Sequence, residues 1–333
     1  MKRIIVGLIT VCIIFISCKK DHSKDGNPDT AIHKIAYKVG FSQQIANFQI
    51  NNSKPLVTSA TNTPAIVAVP LSDNVDVIYY AVYDSQGNNV HIIKQTSSQA
   101  GFGAYTDNLH TGTYTLVIAA GKNGLLLGPD SLATTGSKLS KDVISYGGYI
   151  TRIGDVIYNL FNKDAFYKKI TLTVSKTDAS EVINLDRITS KLTVNINDAI
   201  PVGANYYLVE NLSSYPAVKF YVGNGTTPPY SSFALNSGYI VDTLKNTDIG
   251  TTNFRINTIL LYTSPITVNL SCTHLNADNI IDQKIIQNVI CERNAQTILS
   301  GNLFGGAGTH STGGFTATID TSWNSTPITK TFP

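Results

Sequence analysis

FYKKITLTVSKTDASEVINLDRITSKLTVNINDAIP, residues 166–201, decides the fold. Ile170, Leu172 and Val174 alternate with Thr171, Thr173 and Ser175, and further on Leu192, Val194 and Ile196 alternate with Thr193, Asn195 and Asn197. Successive side chains of a strand point to opposite faces, so each run is a strand with one buried and one wet face. No stretch of the chain supports alternating strands and long helices, so a nucleotide-binding α/β fold is not expected.

The same period of two extends outward. Tyr114, Leu116 and Ile118 share a face in GTYTLVIAAG (112–121), and Val268, Leu270 and Cys272 share one in TVNLSC (267–272). DVIYYAVYD (76–84) is apolar on both faces, which predicts a strand placed centrally and covered on both sides. DSQGNN (84–89) interrupts it before VHIIK resumes, a hairpin signal. Strands recur at intervals of roughly ten residues with Gly, Asn or Pro between them, the spacing of antiparallel sandwiches. One segment departs from this period. Ile150, Ile153, Val156, Ile157, Leu160 and Phe161 in YITRIGDVIYNLFN (149–162) follow helical spacing, which leaves a short helix, an irregular crossover or another strand open. The expectation is an all-β chain of two tandem antiparallel β-sandwiches, residues 31–186 and 187–333, joined without a flexible linker and so set against each other.

The N-terminus follows different rules. Met1, Lys2 and Arg3 precede an apolar run, Ile4 to Ile16, which ends at Ser17-Cys18 before Lys19-Lys20-Asp21. Thirteen helical residues span roughly 20 Å, short of the ~30 Å hydrocarbon core, so the run describes an export signal rather than a membrane span. A signal ending in Cys resembles a bacterial lipoprotein signal, although Phe15 and Ser17 replace the usual Leu and the usual Gly or Ala. The resemblance implies removal of residues 1–17 and lipidation of Cys18 through a diacylglycerol thioether. Several acyl chains hold a protein stably at a membrane where one does not. Residues 18–30 then form a lipidated start and a polar leash, KKDHSKDGNPDT, whose twelve residues reach at most about 40 Å. Polar residues behind the Cys resemble surface-export signals of Bacteroidota lipoproteins, which implies an outer-membrane, cell-surface location. The bland alternative is an ordinary signal cut elsewhere, with Cys18 incidental.

Composition removes several function classes. Loss of residues 1–17 takes Lys2 and Arg3 and leaves 316 residues with net charge +1, so no basic field exists to hold nucleic acid. Charged residues make up 14% of the chain, and Ser, Thr and Asn carry the solubility. Besides Cys18, the mature chain holds Cys272 and Cys291, too few for a disulfide scaffold and wrongly spaced for zinc. These two form a candidate disulfide if they meet on adjacent strands, closing a loop of about nineteen residues worth roughly 3 kcal/mol. The alternative, which a simple hairpin favours, is a pair of buried thiols packing as small apolar residues.

Four stretches carry a wider resemblance: the Cys18 signal, DNLHTGTYTLVIAAG (107–121), VINLDRITSKLTVNI (182–196) and CERNAQTILSGNLF with FTATIDTSW (291–304 and 315–323). Together they resemble the FimB-type fimbrial anchor and fimbrillin-like lipoproteins of Bacteroidota. The resemblance implies two transthyretin-like sandwiches, outer-membrane attachment through the lipid, and contact with fimbrial subunits through β-strand exchange. In that family a stalk subunit is activated by cleavage after an Arg near its N-terminus, yet no Arg lies between Arg3 and Arg152 here. A donor strand needs an unbroken run of N–H groups, and the tail NSTPITKTFP (324–333) contains Pro327 and Pro333. Both features suit a terminal, membrane-bound anchor or accessory subunit better than a stalk subunit.

Catalytic and cofactor patterns are not evident, so neither enzyme activity nor a cofactor is expected. His22, His33, His91, His110, His274 and His310 show no HxH or HExxH spacing. GTHSTGG (308–314) lacks GxSxG spacing and reads as a glycine-rich loop. The rival function is a glycan-binding surface lipoprotein using aromatic platforms. Its candidates are Tyr206, Tyr207, Tyr215, Tyr221 and Tyr230 near turns, whereas Tyr79, Tyr80, Tyr83 and Tyr114 read as core.

Overall fold

The computed structural model describes residues 31–41, 70–129, 136–146, 150–153, 156–159, 163–175, 178–211, 219–223, 239–260, 265–274, 279–304 and 315–320. Their regular secondary structure is almost entirely strand. The first half contains β1 (Ile32–Phe41), a one-turn helix (Leu71–Asn74), β2 (Val77–Tyr83), β3 (Asn89–Thr96), β4 (Ala104–His110), β5 (Gly112–Gly121), β6 (Leu125–Pro129), β7 (Asp142–Tyr146), β8 (Ile150–Ile153), β9 (Val156–Asn159), β10 (Ala165–Val174) and β11 (Ala179–Arg187). The second contains β12 (Ser190–Ile196), β13 (Tyr206–Asn211), β14 (Lys219–Tyr221), β15 (Tyr239–Thr243), β16 (Phe254–Leu260), β17 (Pro265–Thr273), β18 (Ile280–Ile290), β19 (Gln296–Gly301) and β20 (Phe315–Asp320).

Seven strands of the first half run in the order β3-β2-β5-β10-β11-β1-β4. The β10–β11 link consists of Phe166 opposite Arg187 and Tyr167 opposite Asp186. Beyond those two pairs the strands part, so the order folds into two leaves, β3-β2-β5-β10 and β11-β1-β4. The alternating residues of both leaves meet in one core: Ile35, Tyr37 and Val39 against Ile78, Tyr80, Leu116, Ile118, Phe166 and Leu172. The other side is stitched by side chains, with Gln95 Nε2 donating to Ala104 O at 2.7 Å and His91 facing Asp107 at 3.0 Å.

The expectation for 76–84 holds. All seven residues of β2 are buried, because Val77, Tyr79, Ala81 and Tyr83 face a second core on the far side of their leaf. That core is roofed by a three-stranded sheet in the order β14-β7-β6, contributing Leu125, Leu127, Ile144 and Phe220. The turn at 84–89 is also as read. Asp84 Oδ1 accepts from Gln86 N and Asn88 N, and Gly87 takes φ +77°, which a Cβ would disfavour.

The second half has two four-stranded sheets, β16-β12-β19-β20 and β15-β13-β17-β18. Between them pack Leu192, Val194 and Ile196 from β12, Tyr207 and Val209 from β13, Leu270 and Cys272 from β17, and Leu299 from β19. β18 lies at the edge of its sheet. It carries a register shift facing Ile266–Val268, Asn288 at φ +57°, and a buried Lys284 opposite the core residue Leu270.

Three features differ from the local pattern. Residues 150–159, where the period left helix or strand open, form the antiparallel pair β8–β9. Gly154-Asp155 between β-branched runs is a two-residue hairpin signal that outweighs the accidental helical spacing. Two pairings are parallel rather than antiparallel, β1 with β11 and β12 with β19. Each joins strands distant in sequence, which no local periodicity reveals. Finally, β14 belongs by sequence to the second half but pairs with β7 of the first, Phe220 opposite Ile144.

Candidate functional site

β1 is the first described strand, and it is held on both flanks. Ile35–Phe41 pair in parallel with Ala179–Leu185, and Ile32–Lys38 pair antiparallel with Ala104–His110. The sequence IHKIAYKVGF dictates the fit. His33, Ile35, Tyr37 and Val39 turn inward and are buried, while Ile32, Lys34 and Lys38 are exposed. Val39 N donates to Gly103 O at 2.8 Å, and Lys34 N donates to Asp178 Oδ1 at 2.9 Å, so the strand is fastened near both ends. The Tyr37 ring stacks on Tyr105 at 6.2 Å, and Tyr105 meets Tyr80 at 5.1 Å. Burial, with Asp107 nearby, pushes the Tyr37 phenol above its ordinary range, and its hydroxyl finds no hydrogen-bond partner among the described residues. This slot gives the first described strand a ladder of seven register positions on each edge and three apolar pegs.

A second constellation locks the halves together. Arg187, the last residue of β11, directs its guanidinium at Asp164, with Nε to Oδ2 and Nη2 to Oδ2 both 2.8 Å. Thr189 Oγ1 donates to Asp164 Oδ1 at 2.6 Å, and the guanidinium also lies over the Phe166 ring at 5.2 Å. Arg187 Nη1 reaches Asn294 Oδ1 at 3.3 Å, and Asn294 N returns a bond to Thr189 O at 2.7 Å. The pair is buried and well bonded, the condition under which a buried ion pair is tolerated. Alongside it, Phe220 of β14 packs edge-on against Tyr167 at 4.9 Å, Tyr167 Oη donates to Val222 O at 2.6 Å, and Arg293 covers the Phe220 ring at 5.0 Å. A Cβ on Gly223 would stand 2.5 Å from Leu139 O, so only glycine permits this close approach. Sequence reasoning missed both locks. Asp164 and Arg187 are ordinary turn and strand-end residues locally, and KFY is too short to read as a strand.

The sequence-derived site residues fall as follows. Cys18 lies outside the described residues. Cys272 and Cys291 are buried free thiols, so the candidate disulfide is not formed. The ladder explains this. Cys272 pairs with Asp282, whereas Ile290, next to Cys291, pairs with Pro265 seven residues along the strand, so the thiols lie roughly 23 Å apart at opposite ends of one hairpin. Burial pushes both thiols up to about 12. Of the histidines, His33 bonds Thr111 at 3.1 Å, His91 faces Asp107, and His274 Nδ1 meets Gly203 O at 2.8 Å. His22, His310 and GTHSTGG lie outside the described residues. Among the described residues no three His, Cys, Asp or Glu side chains gather as a metal site, and no helix is long and apolar enough to cross a membrane. Tyr207 is a core residue, Tyr206 and Tyr221 are half-buried, and Tyr215 and Tyr230 lie outside the described residues.

One carboxylate stands apart. Asp242 of β15 sits opposite Tyr207, and its Oδ2 has no hydrogen-bond partner among the described residues. Burial, and secondarily Asp248, pushes its carboxyl up to about 6.

A family model for the fimbrillin-A associated anchor proteins Mfa1 and Mfa2 matches residues 56–326. None of the curated proteins matches the chain in sequence. Among solved structures, the fimbrial anchor protein Mfa2 from Porphyromonas gingivalis is 13% identical, covers 91% of this chain and 100% of its own, and superposes with a TM-score of 0.50. A Bacteroides thetaiotaomicron protein described as a candidate polysaccharide-binding protein is also 13% identical, with coverage of 81% and 92% and a TM-score of 0.50. At these identities the likeness speaks to fold.

Proposed function

The chain belongs to the family of fimbrillin-A associated anchor proteins, and from that premise we propose that it is the membrane-bound anchor of a fimbria, lipidated at Cys18, carrying no catalytic activity and no cofactor. Its role as a fimbrial accessory protein at the cell surface follows from the family. Residues 1–17 act as the export signal, 18–30 as the leash, 31–186 and 187–333 as the two sandwiches, and fimbrial subunits dock by strand exchange. The observation that carries this reading is the slot of β1. The strand that follows the leash is bonded along both edges and pegged by Ile35, Tyr37 and Val39. No Arg lies between the leash and Arg152 of β8 to release it by the cleavage that activates stalk subunits. A protein that keeps this strand is suited to hold a fibre at its base.

The test is Cys18→Ala followed by fractionation. Fibres are expected in the medium and the protein is expected to leave the membrane fraction, whereas cells that keep their fibres would refute an anchoring role. The rival reading is a glycan-binding surface lipoprotein. It draws support only from the description of one relative, and binding on a glycan array would promote it.

A further inference from the structure

We propose that β1 and β11 form a shear-loaded clasp, so that tension between the leash and the C-terminal half loads their whole ladder at once. The direction of load rests on the anchoring reading above. The strand geometry does not.

β1 and β11 are parallel, with Ile35 beside Ala179 and Phe41 beside Leu185. The chain enters β1 at Ile32, so the leash pulls at the end of the pair where β11 begins. β11 ends at Arg187, and only Ile188 and Thr189 separate it from β12. The C-terminal half therefore pulls β11 from the opposite end. Two parallel neighbours drawn apart along their axes must break seven register positions together, because no position can open before the others slide. The β1–β4 ladder resists the same slide, and the buried pegs Ile35, Tyr37 and Val39 would have to leave a close-packed core in one step. The Lys34 N–Asp178 Oδ1 bond adds one further tie at the leash end. At the far end, the Arg187–Asp164 pair and its bond to Asn294 fix the point where load enters β11.

The second half repeats the parallel pairing with the opposite mechanical outcome. β12 starts at Ser190, β12 and β19 are parallel, and β20 runs back so that Lys191, Gln296 and Asp320 lie in one row. A pull applied at β12 and beyond β20 enters at the same end of that sheet, so its rows open one after another. One chain thus holds a strong half next to the leash and a weak half beyond it.

The experiment is single-molecule pulling on the chain from Lys19 to Pro333 carrying Asp178→Cys, an exposed position just before β11 whose replacement removes the Lys34 tie equally from both pulling geometries. The buried thiols of Cys272 and Cys291 leave position 178 as the reactive sulfur. The same molecule is pulled in two ways, between residues 19 and 333 and between residues 19 and 178. In the second geometry both pulls enter at the leash end and peel the ladder. Because the protein is the same, stability cannot account for a difference. The N-terminal event, recognised end to end by a length gain of roughly 50 nm, should rupture at a force about twofold or more above that of the peel. Equal forces, or a stronger peel, would overturn the clasp. An unlipidated Cys18 would instead overturn the anchoring reading and leave this result standing, since the pulled chain carries no lipid.

Discussion

The two halves share a plan and differ in depth. In each, the opening strand lies parallel to a late one, β1 with β11 and β12 with β19. Among the described residues, however, the first half is three layers deep over β2 and β5, while the second is two. The outer face of β16-β12-β19 carries Thr193 bonded to Asn257 at 2.8 Å and to Gln296 at 2.9 Å, a polar lattice where the first half has a second apolar core. This difference is written in the strands. KLTVNI alternates because its outward side chains are polar and bond to one another, with Thr193 itself buried in that lattice, and VIYYAVY does not because apolar layers cover both of its faces. The lesson is that loss of alternation in one strand reports a further layer, even where the residues that build the layer are far away.

The sharpest way to break the comparison is to cut the lock between the halves. Arg187→Ala leaves Asp164 buried with an uncompensated charge and should cost about 3–5 kcal/mol. If the halves are coupled as described, thermal unfolding of the variant, followed by calorimetry, splits from one transition into two. A single transition at the wild-type temperature would count against the lock. Next in size, Phe220→Ala should cost about 3 kcal/mol, toward the low end for a buried aromatic because β14 is short and its surroundings can collapse. The change lies in the second half by sequence, yet hydrogen exchange should rise first in β2 and β7 of the first. Loosening confined to residues beyond 187 would show the roof to be dispensable.

The smallest expected effect sharpens the second half alone. The carboxyl of Asp242, pushed up to about 6 in the folded chain, stands near 4 when unfolded, so the folded state binds its proton more tightly. This group therefore favours folding most below about pH 4, and its contribution falls as pH rises through about 6. Asp242→Asn should raise stability at pH 7 by about 2 kcal/mol and flatten the denaturation midpoint between about pH 4 and 6. An unchanged pH profile would mean that the carboxyl is better solvated than its surroundings suggest.

How far the sequence reaches follows from which forces are local. The pegs of β10, β12 and β17, the double-sided burial of β2 and the Asp84–Gly87 turn were all legible, since each depends on neighbours within a few residues. Partners were not. The parallel contacts join strands more than a hundred residues apart, and nothing in Ile35 or Ala179 announces the other. The β8–β9 pair was obscured because six apolar residues happened to fit a helical stripe. The slot that carries the functional reading was missed, although IHKIAYKVGF alternates, because nothing within the segment marks the strands on either side of it. The Arg187–Asp164 lock was hidden entirely.

The edge strand β18 has a consequence for life among many copies. Eleven residues long and rich in isoleucine, it has the length and composition to recruit another molecule's backbone and start an uncontrolled stack. The kink at Asn288 breaks the line of free amides, and the inward Lys284 would strand a charge in any dry seam built over it. An edge interrupted in this way is a poor template for pairing with another copy of this chain.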